Sequence, residues 1–420
     1  NGGGYAYVNE VFSDIVSFIM GWMLWFAYMI AGALYALGFA PNFLELLHVY
    51  GVVAPPDQVG AIVLPIIGLD LPANFALAFI AVAGIVLLNA ASTAASGSVE
   101  TIFTFIKVSI LVVFVAFGFL SAGGGGETSF TFQNFDPLFA EGSGAFSILP
   151  AMGLTFIAFE GYDLITTVTE EVENPRENIP KAIFVSLAVT VVVYLLVVTV
   201  AIGTLGASEL AAAGEAGIAA AATSFMPTGV PIIQNGGALI VFGAVFSTIT
   251  ALNAVVIASS RVAFSMGREG QLLPSIGKIH YRFGTPLAAV LLSAIVMLGS
   301  VVLPTQSAGN MSSLFFLLSF IIVNVAVIRL RRERPNMNRP YEIPYYPIPP
   351  ILGIVLNAGL AIVLIGFLIQ TDRLALILSI SWLAAGGVMY VILNRFRDRG
   401  TADTSEADIA QPVTESPDND

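Results

Sequence analysis

Apolar runs of about twenty residues, each closed by a polar or proline-bearing stretch, recur along the chain near residues 17–45, 73–93, 98–121, 146–168, 182–204, 233–260, 286–303, 311–328, 349–370 and 374–394. A run of that length crosses the ~30 Å hydrocarbon core of a bilayer as a helix, whereas barrel strands would alternate apolar and polar positions over about ten residues. The pattern predicts an all-α polytopic membrane protein with ten transmembrane helices in a domain over residues 17–395. Ahead of it, Tyr5, Tyr7, Phe12 and Ile15 give residues 1–16 the character of a short helix lying at the membrane surface. Behind it, residues 396–420 are rich in Thr, Ser, Asp, Glu and Pro, the composition of an acidic disordered tail.

Composition supports the class. Hydrophobic residues make up 57% of the chain, charged residues 10%, and the mean hydropathy is +0.88, which is too apolar for a water-soluble domain. Charge placement tests the topology separately, because cytoplasmic loops collect Lys and Arg. Of the 16 basic residues, 14 fall in four clusters: Arg176 and Lys181; Arg261 to Arg282; Arg329 to Arg339; and Arg395 to Arg399. The intervening loops carry only Arg373, so both ends of this chain are placed in the cytoplasm, and the expected location is the plasma membrane. A net charge of −12 argues against nucleic acid as a partner, and the absence of cysteine removes thiol and disulfide chemistry. No cleavable signal peptide is visible.

The segment GLTFIAFEGYDLITTVTEEVENPRENIPK, from Gly153 to Lys181, sets two carboxylates, Glu160 and Asp163, inside an apolar span. A carboxylate at that depth costs about 2.5 to 3.5 kcal/mol on insertion scales, so acids kept there usually line a site or a pathway. Gly153 and Gly161 bracket the stretch as in a broken helix, and an interrupted span exposes backbone only where it lines a cavity. The freed N-terminus of a half-helix would attract an anionic group such as a substrate carboxylate. A kinked packing helix whose glycines admit a neighbour is the plain alternative.

Lys107 is the one basic residue deep within a span, roughly 13 Å along the helix from its start near Ser98. A desolvated lysine gives up its proton readily, so it could alternate between charged and neutral forms; snorkelling to an interface is the alternative. The loop TEEVENPRENIPK has prolines and mixed charges that could close a cytoplasmic gate, although a solvated connector explains the same composition. Ser247, Thr248, Thr250 and Asn253 could coordinate an ion or substrate, or simply tie helices together, the role also given to Asn89, Asn324 and Asn357. An enzyme is disfavoured: His48 and His280 both fall near loops, and no HExxH or nucleophile–base pair is present. No cofactor and no metal site is expected.

Three stretches together resemble the amino acid-polyamine-organocation (APC) superfamily of secondary transporters. GGGYAYVNEVFSDIVSFIMGW is similar to the segment joining its second and third helices, FIAFEGYDLITTVTEEVENPRENIPKAI to its sixth helix and following loop, and TALNAVVIASSRVAFSMGREGQLLP to its eighth helix and exit. The resemblance covers nearly all of residues 1–395 and implies a five-plus-five inverted-repeat fold like that of the leucine transporter. Ten helices would be present of an expected twelve, so the chain is expected to be a piece of a longer permease. The unwound part of the sixth helix falls on Phe156, Ile157, Ala158, Phe159, Glu160 and Gly161, whose backbone groups would meet the substrate. Glu160 does not match a usual acid of the family. Asp163 matches an acidic position used in proton-dependent transport. Lys107 looks like the fifth-helix lysine that replaces a sodium ion in proton-coupled members, with Ser247 and Thr248 as its eighth-helix neighbours. Glu171, Asn174, Pro175 and Arg176 would form the cytoplasmic gate.

The expectation is a proton-coupled amino acid permease working by alternating access, with the lipid bilayer as its surroundings. Amino acid exchange is the close alternative, and a polyamine or cationic amino acid would suit a second carboxylate. A transporter-like sensor or subunit that binds without transport is the alternative of another class.

Overall fold

The computed structural model describes residues 3–55, 59, 62–64, 69–91, 97–123, 129–139, 144–167, 172–226, 235–339 and 341–409. In chain order the helices are α1 (Gly4–Asn9), α2 (Asp14–Val49), α3 (Ala73–Ala91), α4 (Gly97–Leu120), α5 (Ile148–Leu154), α6 (Leu164–Thr167), α7 (Pro175–Leu205), α8 (Ala207–Ala212), α9 (Gly217–Phe225), α10 (Gly236–Arg268), α11 (Leu287–Ser300), α12 (Thr305–Glu333), α13 (Ile348–Thr371) and α14 (Arg373–Ile409). Between α2 and α3 a short antiparallel hairpin pairs β1 (Ile62–Leu64) with β2 (Leu69–Leu71).

Among the described residues, nine helical segments are long and apolar enough to cross a membrane. The run expected at 286–303 forms α11 and stops at 14 residues, about 21 Å of helix. Pro286 caps its start and Pro304 caps the start of α12, so proline punctuation trims it below the hydrocarbon thickness.

Burial separates the helices into inner and outer sets. In α2, 83% of the most apolar window is buried, against 17% in α4 and α13 and 11% in α7 and α14. An apolar helix buried all round is a core helix, and α4, α7, α13 and α14 form the outer set around it. The inner post is built from aromatics. Trp22 stacks on Trp382 at 4.5 Å between ring centroids and Phe26 on the same ring at 4.4 Å. The two indoles also exchange hydrogen bonds: Trp22 Nε1 donates to the Trp382 carbonyl at 2.9 Å and Trp382 Nε1 to the Trp22 carbonyl at 3.2 Å. Trp25 Nε1 donates to Ser293 Oγ of α11, and Ser312 Oγ of α12 donates to the Ala27 carbonyl. Three neighbouring helices are thereby tied to α2 through satisfied polar groups, as a low-dielectric interior demands.

A second apolar cluster lies apart from the first, with Ile110 and Phe114 of α4, Val197 and Val200 of α7, Ala221 of α9 and Ile240 of α10 at its heart. The main core takes Leu252, Val255, Val256 and Val262 of α10, so this one helix contributes to both clusters.

α1 differs from a surface-lying segment in one respect. Tyr7 is exposed, but Tyr5 and Val8 are buried in the protein, and the Tyr5 hydroxyl donates to Gln271 Oε1 at 2.9 Å. Burial is the main cause that pushes the Tyr5 hydroxyl pKa up, with Glu269 and Asp14 adding to it, so it stays a donor at any physiological pH.

Gly267 at the end of α10 marks a close backbone approach: a Cβ there would lie 2.5 Å from the Gly277 amide nitrogen. Gly267→Ala is expected to destabilise the fold by about 1–3 kcal/mol, measured as a lower Tm in detergent. Gly299→Ala, where a Cβ meets nothing within 4 Å, serves as the control and leaves Tm unchanged or slightly raised.

Candidate substrate and coupling site

Residues 148–167 do not form one helix. α5 ends at Leu154, Thr155–Phe159 tighten into a 3-10 turn, Glu160 is extended at φ −73° and ψ 153°, and α6 begins only at Leu164. Gly161 turns the chain at φ +119°, a conformation that side-chain-bearing residues rarely adopt. Gly153 acts differently: a Cβ there would meet Leu364 at 3.3 Å, so this glycine admits α13. Each glycine reading from the sequence thus describes a different position.

A break at membrane depth leaves backbone groups that water cannot satisfy, and neighbouring side chains take them up. The Ile157 N–H donates to Ser313 Oγ of α12 at 3.2 Å, and the Tyr194 hydroxyl of α7 donates to the Ala158 carbonyl at 2.8 Å. Ring contacts brace the same stretch, Phe156 against Phe320 at 6.0 Å and Phe159 edge-on to Tyr194 at 5.3 Å.

The two carboxylates follow directly. Asp163 Oδ2 accepts a hydrogen bond from the Tyr28 hydroxyl of α2 at 2.5 Å. Asp163 Oδ1 and both carboxylate oxygens of Glu160 are buried without a hydrogen-bond partner among the described residues. Tyr28, Tyr35 and Tyr162 all lie within electrostatic reach of both acids. Buried acceptors in this state favour a cation or a proton beside them, since an unpaired buried charge is costly. Asp163 also lines a cavity of about 310 Å³ together with Phe156, Tyr162, Thr166, Asn324 and Asn357.

Lys107 lies on another cavity, of about 240 Å³, which it lines with Asn42, Gly243 and Ser247. Its Nζ donates to Thr250 Oγ1 of α10 at 2.8 Å, and Thr250 in turn donates to the Phe246 carbonyl at 2.9 Å. Thr248 is turned to its own helix, donating to the Ala244 carbonyl at 2.8 Å. Ser247 therefore borders the lysine as a cavity neighbour, and Thr250 supplies the hydroxyl that Lys107 holds. Asn253 accepts from Asn89 Nδ2 at 2.7 Å, a tie between α10 and α3.

At the expected gate, Asn174 sits in a left-handed turn at φ 47° and Pro175 opens α7, a position where its missing N–H costs nothing. Arg176 lines a third cavity, of about 550 Å³, which shares Tyr7 and Thr166 with the Asp163 cavity. Glu171 lies outside the described residues.

Sequence reasoning did not single out Tyr28, Tyr194 or Ser313. The available signal was a lone hydroxyl inside an apolar span, as in GWMLWFAYMI around Tyr28, but which hydroxyl meets the broken backbone depends on helix packing. Residues 1–392 match the family model described as "Amino acid permease". The chain is 26% identical over 406 residues to the branched-chain amino acid permease BcaP of Bacillus subtilis, covering 94% of this chain and 80% of the relative. It is 25% identical over 402 residues to the methylthioribose transporter of the same organism, covering 94% and 80%. With the serine/threonine exchanger SteT, also of Bacillus subtilis, it shares 26% identity over 392 residues, covering 93% and 81%. The architecture, helical apart from the short β1–β2 hairpin, is consistent with the fold of that family, and the chain belongs to the amino acid permease family of the APC superfamily, a family of multi-pass membrane transporters and not of enzymes.

Proposed function

We propose that the protein takes up an amino acid by alternating access, with a proton as the coupling ion. The observation that carries this reading is the Lys107–Thr250 hydrogen bond at 2.8 Å, which joins α4 to α10 inside the membrane domain. A charged ammonium makes a strong, charge-assisted bond to that hydroxyl; the neutral amine makes a weaker one, so gain or loss of a proton changes how firmly the two helices are held. The proton thereby biases one conformation only through its differential effect on the two states. The substrate is placed at the backbone of Phe156, Ile157, Ala158, Phe159, Glu160 and Gly161, where the helix is interrupted. Its ammonium group has acceptors in Glu160 and Asp163, whose free oxygens are buried. The arginine-rich face is read as cytoplasmic, with Asn174, Pro175 and Arg176 at its gate.

Exchange of one amino acid for another is the second reading, favoured by the similarity to the SteT exchanger. A branched-chain amino acid permease and a methylthioribose transporter among the relatives leave the solute to be found by assay.

The test is uptake of a panel of radiolabelled amino acids into proteoliposomes by the full-length protein, native and Lys107→Ala. Uptake of the native protein is expected to follow an inward proton gradient, and Lys107→Ala is expected to lose that response while equilibrium binding persists. Sodium-driven uptake, or a variant that responds like native, rejects the proton coupling. Uptake that requires an amino acid inside the vesicle supports exchange.

The interrupted helix generates a second expectation. Tyr194→Phe and Ser313→Ala each leave one backbone group of the break without its partner, a loss of about 1–3 kcal/mol. Both should lower Tm in detergent and weaken substrate binding; unchanged affinity in both variants would remove residues 156–161 from the binding site.

A further inference from the structure

The cavity beside Arg176 carries a chemistry that movement of a zwitterionic solute does not call for. Its wall includes Arg176 from the start of α7, Arg331 near the end of α12 and Arg339 from the following loop, and no carboxylate is among its described lining residues. Of the acids near it, Glu177 is engaged by Lys181 at 2.5 Å and Glu333 by Arg329 at 2.6 Å, while Glu342 is exposed between the lining residues Tyr341 and Ile343. Two of the arginines are fixed in place. Arg331 lies 4.2 Å over the Tyr346 ring, which holds the guanidinium by its face and keeps its N–H groups in the plane suited to phosphate. Arg339 is anchored through Nη1 to the Pro335 and Met337 carbonyls and through Nη2 to the Arg334 carbonyl.

The remaining described wall is mainly apolar, with Ile179, Leu330 and Tyr341, and Thr166 and Asn338 add polar groups to it. Tyr341 packs on Phe184 at 5.6 Å, and Phe184 is itself 55% exposed beside Val185 at 63%. Ile348 and Leu352 at the start of α13 are exposed as well. Cationic groups that can grip a phosphate thus stand next to aromatic and aliphatic side chains left uncovered at the end of two spans. A basic pocket between helix ends, bordered by an aromatic at the interface, suits a lipid headgroup with its acyl chains against the apolar flank. We propose that this cavity binds the headgroup of an anionic phospholipid from the leaflet on the arginine-rich side. Charge complementarity and the exposed apolar border select a lipid over a soluble anion, and the site operates whichever solute the protein carries.

The test uses purified full-length protein in detergent, titrated with dioleoylphosphatidylglycerol, dioleoylphosphatidylcholine or soluble glycerol 3-phosphate, with bound ligand counted by native mass spectrometry. Phosphatidylglycerol is expected to bind and phosphatidylcholine not. The double variant Arg176→Gln/Arg331→Gln should weaken binding about tenfold or more. If the double variant has a lower Tm without lipid, Arg176→Gln alone is read instead, from an exposed position at a helix start, with about a fivefold loss expected. Equal binding of the two lipids, unaltered binding by the variants, or glycerol 3-phosphate binding as tightly as the phospholipid would each overturn the proposal.

Discussion

Everything about the site depends on one constraint: backbone N–H and C=O groups inside a bilayer must find partners within the protein. A continuous helix meets that demand by itself, and residues 148–167 give up the solution at Thr155. The demand is then met by Ser313 from α12 and Tyr194 from α7, each supplying one side-chain group to the broken stretch. Those two helices therefore border the candidate site through uncharged side chains. The same opening of the helix lets Glu160 and Asp163 lie close together, near a cluster of tyrosines, at a depth where each alone would be hard to keep.

The second organising fact is that α10 belongs to two apolar clusters. Ile240 packs with α4, α7 and α9, while Leu252 and the residues after it pack around α2. Thr250 sits on the helix between these two regions, and it is the residue that Lys107 grips. On the coupling reading, a bond whose strength follows protonation is located near the joint of two packed bodies, where a modest change in free energy has most leverage over their relative position.

The spans were legible in the sequence because their signal is one-dimensional: length and hydropathy suffice, and nine helical segments among the described residues fall where apolar runs were read. The run at 286–303 was less so, since its hydropathy continues past the point where the flanking prolines allow α11 to run. The glycine-bracketed interruption was also readable, because Gly161 in FEGYD permits the positive φ that side-chain-bearing residues rarely adopt. What the sequence did not give away was partnership across helices. Thr248 and Thr250 look equivalent in STITALN, but two residues on a helix are about 200° apart, and only packing decides which one faces α4. Tyr28 and Ser313 were hidden for the same reason: a hydroxyl within an apolar run has no neighbour until the bundle is assembled. Likewise Tyr5 had the composition of an interfacial anchor, yet a long-range hydrogen bond to Gln271 draws it inside.

The aromatic post on α2 has an optical consequence. The chain's 3 tryptophans are Trp22, Trp25 and Trp382, and their ring centroids lie 4.5 to 6.1 Å apart in one cluster. Indoles this close share excitation, so the intrinsic emission of this chain behaves as a single chromophore seated at the junction of α2, α11 and α14. Excited at the red edge of its absorption, where tyrosine is silent, this chain reports polarity and rigidity at that junction. A shift of α2 against α11 or α14 would register there, which makes the cluster a native gauge of whether the central post moves.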